Sequence, residues 1–355
     1  MKTSNIKHQT PVKHQTLNTT LQRISKLKPR GSETVRPQYG MRSRAFGTFL
    51  ATLIAVIAGL TTLSQSVSYA ASSGKVFARP EDAVAALRNA TSSADTNALR
   101  ELFGSAAEAV QNPDRVQATN DLEAFHAELI ESNRLVRTSN TNIIIEVGDD
   151  LYPFAIPLVK DGSGWRFDTA AGKEELLNRR IGRNELDVLK TMRAYVDAQR
   201  EYASEDHSGN NVLKYAQRIR SSPGKTDGLY WPVDLNGQES PLGPLVGEAQ
   251  EQGYNLKKST DDTQREPFHG YYFKILTRQG KNAPGGKYDY IINNNMIGGF
   301  AMVAWPAEYG ETGIMTFIVN QQGRVYQKDL GPQTSKIVGK MMEYNPDVSW
   351  RVSPQ

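Results

Sequence analysis

The spacing of apolar positions changes several times along the chain, and each change predicts an element. In "ARPEDAVAALRNATSSADTNALRELFG", Val84 and Leu87, then Leu99, Leu102 and Phe103, recur at helical spacing and predict two short helices. Pro80 suits the first turn of the first helix, where Glu81 and Asp82 lie near its positive end. "NPDRVQATNDLEAFHAELIES" predicts a further helix with Leu122, Phe125, Leu129 and Ile130 on one face. The period then shortens. "NTNIIIEVG", "LYPFAIPLVKDG" and "SGWRFDTA" read as three strands, broken by turns at Gly148-Asp149-Asp150 and Asp161-Gly162.

A long helical pattern returns from Ala170 to Ser204, with Leu176, Leu177, Ile181, Leu186, Leu189, Met192, Val196 and Gln199 approximating one stripe. Gly182 is expected to bend or break it. Val212 to Ile219 reads as a short helix, followed by a proline-rich loop and a helix in "LVGEAQEQGY". "GYYFKILTR" and "GGFAMVAWPA" read as strands, and "GGKYDYIINNNM" between them as a further one. "GIMTFIVNQQGRVYQKDL" reads as a hairpin turning at Gln321-Gln322-Gly323. Its first arm is apolar on both faces, which predicts a central strand. "PQTSKIVGKMMEYNP" closes with a helix. The fold class is α+β: one α+β unit at 71–169, and a second at 170–355 joined to it by the helix 170–204.

Aromatic residues crowd the second half. In "YYFKI", alternation puts Tyr271 and Phe273 on one face of a strand and Tyr272 and Lys274 on the other, so one set must be core. Pro306 cannot donate to a ladder and marks a strand end. Trp305 and Tyr309 then lie at a sheet rim. If the preceding loop folds back over that rim, Tyr230 and Trp231 join them in a face for a protein or glycan partner. The competing reading of the same four residues is core packing and loop anchoring.

Charge changes the picture by where it falls. Of 42 Lys/Arg and 38 Asp/Glu in 355 residues, the first 70 residues hold ten and one, which leaves 32 against 37 and a net charge of −5 for the remainder. A mildly acidic body does not attract a phosphate backbone, so the overall +4 gives no case for nucleic acid. The basic leader has another reading. From Met41, Arg42 and Arg44 precede an uncharged stretch from Ala45 to Leu63, and Ser68 and Ala70 supply the small residues of a cleavage site. That is the anatomy of a secretory signal peptide over 41–70; the alternative is a segment retained as an anchor. Residues 1–40 are polar without an apolar period, and read either as an extension without a core or as sequence upstream of a true start at Met41. The chain has no cysteine, which excludes disulfides, thiolate nucleophiles and a lipid-bearing cysteine.

Candidate chemistry is sparse. After the leader the histidines are His126, His207 and His269, with no pair at helical ligand spacing. Asp206, Ser208 and Asn210 echo a calcium loop, but Asn211 stands where glycine belongs and Gln217 where an acid belongs. No Gly-x-Ser-x-Gly elbow and no phosphate-binding glycine loop occurs. His269, beside Gly270 at a strand start, is the one candidate base. The sequence therefore assigns no catalytic residue, no metal and no cofactor.

"PFHGYYFKILTRQGKNAPGGKYDYIINNNMIGGFAMVAWPAEYGETGIMTFIVNQQGRVYQKDLG", with "DGLYWP", "SPLGPLV" and "NELDVLKTMRAYVDAQREYAS", resembles the uncharacterised bacterial exported family numbered 2950 among domains of unknown function, over Ala78 to Tyr344. The resemblance implies export from a Gram-negative-type cell and brings no activity, cofactor or catalytic residue. Helices leading into strands that end in "DGSGWRFD" are similar to the nuclear-transport-factor-like cone. The second half is similar to the soluble part of type IV pilins and pseudopilins, although its long helix is internal and charged, which speaks against fibre assembly. The expectation is a non-catalytic protein of the periplasm or cell envelope that binds or scaffolds a protein or glycan partner. The alternative is a hydrolase or small-ligand protein using a pocket of the cone.

The signal anatomy predicts a mature chain beginning at Ala71. N-terminal sequencing of protein from its native host checks this, and an intact Met41 terminus in the membrane fraction would overturn it.

Overall fold

The computed structural model describes residues 74–233, 237–254 and 266–354; the segment expected as a signal peptide and the polar stretch before it lie outside them. Three helices come first, α1 (Pro80–Ser92), α2 (Thr96–Phe103) and α3 (Arg115–Glu131). Pro80 opens α1 with Glu81 and Asp82 in its first turn. Asp95 and Asp114 cap α2 and α3, their carboxylates accepting backbone N–H groups that have no partner inside the helix. Five strands follow, β1 (Asn133–Ser139), β2 (Asn142–Val147), β3 (Tyr152–Pro153), β4 (Leu158–Asp161) and β5 (Gly164–Phe167). They form an antiparallel sheet in the order β1-β2-β4-β5, with β3 paired to β2.

The helices cover this sheet through residues set by its period of two. Ile143, Ile145 and Val147 of β2 are buried, as are Trp165 and Phe167 of β5, which meets α1 and α2. The rings of Phe103, Phe125, Phe154 and Phe167 fill the space between the layers, with centroids 4.9 to 6.4 Å apart. Strand β1 has no counterpart among the three strands expected from the sequence. Most of its residues are polar and exposed because it is the sheet edge. Only Leu135 packs on the core, while Arg137 lays its guanidinium 5.3 Å from the Trp165 ring. Ile130, expected on the apolar face of α3, is exposed.

Helix α4 (Thr169–Tyr202) runs for 34 residues without a break, capped by Asp168. The expected interruption at Gly182 is absent: a Cβ there would meet nothing within 4 Å, so the glycine lies on an open face and costs only its propensity, about 1 kcal/mol. The buried stripe also differs from the expected one. Leu186 is 50% exposed, and Ile181, Asn184, Val188, Met192, Tyr195, Gln199 and Tyr202 face inward. Leu176 packs on the first core, and from Val188 onward the helix belongs to a second, separate cluster.

The second half adds α5 (Gly243–Glu251), β6 (Tyr271–Leu276), β7 (Arg278–Gln279), β8 (Tyr288–Asp289), β9 (Ile291–Ile292), β10 (Asn295–Met296), β11 (Ala301–Pro306), β12 (Met315–Asn320), β13 (Tyr326–Asp329), α6 (Thr334–Gly339), β14 (Glu343–Tyr344) and β15 (Arg351–Val352). The main sheet has the order β15-β13-β12-β11-β6, so β12 is central as its two apolar faces predict. The Gln321-Gln322-Gly323 turn joins β12 to β13, and Pro306 ends β11. The helix expected over Val212–Ile219 does not form. The buried amide of Gln199 accepts from Ala216 N at 2.9 Å and donates to Ala216 O at 2.8 Å, and Tyr215 bridges to Met296. These tertiary partners take the backbone groups that a helix would use on itself.

The two faces of the main sheet are covered by different elements, α4 on one and α6 with β14 on the other. Tyr271 projects toward α4, its hydroxyl 3.5 Å from Glu185 Oε1. On the opposite face Lys274 Nζ donates to Val338 O at 2.5 Å, at the end of α6, which is only six residues long. Tyr272, Trp305, Tyr326 and Lys328 share that second face and stay half-buried.

A buried polar strut joins the halves. Asn184, with no exposed surface, accepts from Gln117 Nε2 of α3 at 2.8 Å and donates to Thr312 O, in the loop before β12, at 2.9 Å. Asn184→Ala strands both partners and should cost about 2–6 kcal/mol, at 1–3 for each unsatisfied buried group. Leu186→Ala on the same helix should stay within about 0.5 kcal/mol. Urea unfolding of the two variants checks the contrast; similar midpoints would overturn it.

Candidate functional site

The four aromatics singled out in the sequence do not converge. Trp231 is buried at 1% exposure: its Nε1 donates to Gln238 O at 3.0 Å, and its ring meets His207, itself stacked on Tyr202 at 4.1 Å. It plugs the end of α4 and offers no surface to a partner, so the binding reading is corrected at this position. Half-buried Tyr230 is held by backbone bonds to Ile219 and Ser221. Trp305 stands opposite Tyr272 on β6, ring centroids 5.7 Å apart, and Tyr309 donates to Asp329 Oδ2 at 3.2 Å. The Tyr309 loop bonds to Asn184 through Thr312, whereas Trp231 sits beside Tyr202. Those two helix positions are about 27 Å apart at 1.5 Å per residue, so the proline-rich loop does not fold back over the rim.

Trp305 instead belongs to a row across the face opposite α4. Ala304 pairs with Phe317, which brings Trp305 beside Thr316, and Thr316 pairs with Lys328. The Lys328 ammonium lies 5.9 Å from the ring of Trp350 and donates to Ser349 Oγ at 2.7 Å. Trp350 in turn lines an open cleft of about 330 Å³ whose floor includes Ile318 of β12 and whose walls carry Arg278, Lys340, Met341, Met342 and Glu343. The sequence reading missed this cleft. Trp350 and the "KMMEY" run carried its only signal, and neither has a period that separates surface from core.

The titratable groups elsewhere serve the fold. Asp114 is buried, with one carboxylate oxygen accepting from Gln117 N and the other from Tyr254 Oη at 2.8 Å and Gly270 N at 3.1 Å. Burial and the adjacent Asp114 carboxylate push the Tyr254 hydroxyl up, so it remains a donor. Glu185 Oε1 accepts from the backbone of Ile314 and Met315. His126 Nδ1 pairs with Thr91 Oγ1 at 2.8 Å. The Asp206 carboxylate is filled by the N–H groups of Ser208, Gly209 and Asn211 and by Ser208 Oγ, a closed turn in which those donors take the oxygens a calcium ion would need. Among the described residues no group of three His, Cys, Asp or Glu side chains is placed to hold a metal ion.

His269 lies between Phe268, at 4.2 Å, and Tyr254, at 5.5 Å, with Asp187 Oδ2 3.8 Å from its Nδ1. Its backbone has φ +49°, a conformation that L-residues seldom adopt. Burial lowers its pKa below the ordinary 6.5; Asp187, Asp114 and Glu248 oppose the shift without cancelling it, and Lys190 adds to it. Its packed surroundings thus disfavour the protonated form.

A family model described as "Protein of unknown function (DUF2950)" matches residues 74–352. No curated protein and no solved structure matches the chain. No helix among the described residues is long and apolar enough to cross a membrane.

The depressed pKa of His269 gives a signed pH dependence. Its contribution to stability is present above the ordinary 6.5 and lost as pH falls through the lower native value, because the unfolded chain takes a proton that the native site resists. His207, also lowered by burial, acts in the same direction. His269→Asn keeps a residue that tolerates positive φ and removes the titration. The fall in unfolding free energy between about pH 6.5 and 5 should therefore be shallower in the variant. Denaturant titrations across that range measure it, and an unchanged slope would place the titration elsewhere.

Proposed function

The chain belongs to the DUF2950 family of proteins of unknown function, and from that premise we propose that it is an exported, non-catalytic cell-envelope protein that binds a protein or glycan partner. The partner surface is the margin of the main-sheet face opposite α4. The observation that carries this reading is the half-buried Trp305–Tyr272 pair, in register with Lys328, beside the part of that face that α6 and β14 cover. Rigid aromatic rings with polar tips beside a cation supply contact area at little entropic cost. The signal anatomy at 41–70 supports export.

The non-catalytic reading is supported by how the polar side chains are used. Asp114 spends both carboxylate oxygens, Glu185 its Oε1 and His126 its Nδ1 on structural partners, and His269 is packed between rings. A hydrolase or ligand pocket inside the first unit has less support, because four phenylalanine rings occupy the space between its helices and sheet.

The test compares the wild-type chain with Trp305→Ala and Tyr272→Ala as baits for envelope extract of the native host. Capture of a defined partner should fall at least about tenfold in both variants, as for central aromatic contacts. Thermal melting should show them folded. Equal capture by folded variants would remove this face from the interaction.

A further inference from the structure

The cleft beside the aromatic row has a composition that specifies a ligand. Arg278, on β7, carries five N–H donors, and none meets an acceptor in hydrogen-bond geometry among the described residues. Its Nε lies 3.1 Å from Glu343 Oε1 as an ion pair without that alignment. Lys340 is exposed on the same wall, and its ammonium is bound to no described acceptor. Glu343 is further offset by Lys287, whose Nζ is 4.0 Å away. Two lining cations, Arg278 and Lys340, against the one lining carboxylate, which Lys287 offsets from outside, give the cleft a positive balance in a body that is otherwise mildly acidic.

The other walls are apolar and adaptable. Met341 and Met342 present flexible thioether chains that repack around side chains of differing shape. Ile318 closes the floor. Trp350 presents its edge of the cleft with the Lys328 ammonium already near its ring, which works against the open ring face that a stacked sugar requires. A volume of about 330 Å³ fits one side chain with the group attached to it, at the small end of ligand sites. Glu343 lies on strand β14, which pairs with the β7 strand that carries Arg278 and so fixes the two opposing charges on one wall.

We propose that this cleft captures the free C-terminal carboxylate of a peptide or protein chain, with Arg278 and Lys340 binding the carboxylate and Met341, Met342 and Trp350 enclosing the last side chain. The proposal rests on the binding role given above and names the chemistry of its partner. Arginine suits this task because its planar fork can give two parallel N–H bonds to one carboxylate.

The experiment uses the purified chain and calorimetric titration with N-acetyl-Ala-Ala-Leu, as the free acid and as the C-terminal amide. The acid should bind saturably and the amide at least about tenfold more weakly, since it lacks the charge that the cations read. Lys340→Gln, at an exposed position that does not threaten folding, should weaken the acid by about tenfold and leave the amide unchanged. Arg278→Gln should do the same, while Glu343→Gln, which removes the opposing acid, should tighten the acid. Equal binding of acid and amide, or no saturable binding of either, would overturn the proposal. So would tighter binding of a glucuronic-acid disaccharide, which would move the anion from peptide to glycan. Loss of the peptide result with Trp305-dependent partner capture intact would remove the cleft assignment and leave the binding role standing.

Discussion

The contact on which the arrangement depends is the amide of Asn184, held without exposure between Gln117 and the carbonyl of Thr312. Hydrophobic burial cannot specify how two separate cores sit against each other, because apolar surfaces slide at little cost. A buried amide can, since any shift strands its donors and acceptors in a medium that cannot replace them. Around it Asp114 serves both as the cap of α3 and as acceptor for Tyr254 and Gly270, so the start of one helix is tied to the entry of the main sheet. Arg180, one turn earlier on α4, donates to Gln111 O at 2.9 Å and ties the same junction from below.

That closeness dictates two glycines. At Gly270, φ is +72°, and a Cβ would lie 2.6 Å from Asn184 Nδ2 and 2.9 Å from Thr312 Cβ. At Gly313 a Cβ would fall on the Tyr271 hydroxyl, 2.0 Å away. Both glycines let backbone approach the strut and its neighbour Glu185 where any side chain would push it off. His269 inherits its positive φ from the same sharp entry into β6, which is a structural reason for its conformation and its burial.

Much of the architecture was legible in local periodicity, because the cores are built on it. The period of two in "NIIIEV" and the doubly apolar "MTFIV" each mark a strand correctly, and the latter is central. What escaped was set by partners remote in sequence. Gln199 holds residues around Ala216 out of the helix their own pattern favours, and β1 is a strand because β2 offers it a ladder, not because its residues alternate. The stripe on α4 was misread at Leu186 because Asn184 occupies a core position that a hydrophobicity pattern scores as surface, whereas Gln199, read into the stripe, is buried. The aromatic reading failed at Trp231 for the converse reason: a tryptophan beside a proline looks like a surface element until its ring is seen to be buried and its N–H bonded to Gln238 O. The cleft had no readable signal, since Arg278, Lys340 and Trp350 come together only through β14 pairing with β7 and the final turn reaching β13.

The long helix also decides where side chains meet water. A sheet has two faces to bury, and α4 buries one along its second half. On the opposite face α6 and β14 cover the middle of the sheet, where Val303, Thr316 and Ile318 are buried, and leave a margin half-buried. Residues at that margin must tolerate water at one end and core at the other, which suits Tyr272, Trp305, Tyr326 and Lys328. Rings already fixed against the core would lose little freedom under a partner, which is the physical argument for the binding role proposed for this margin.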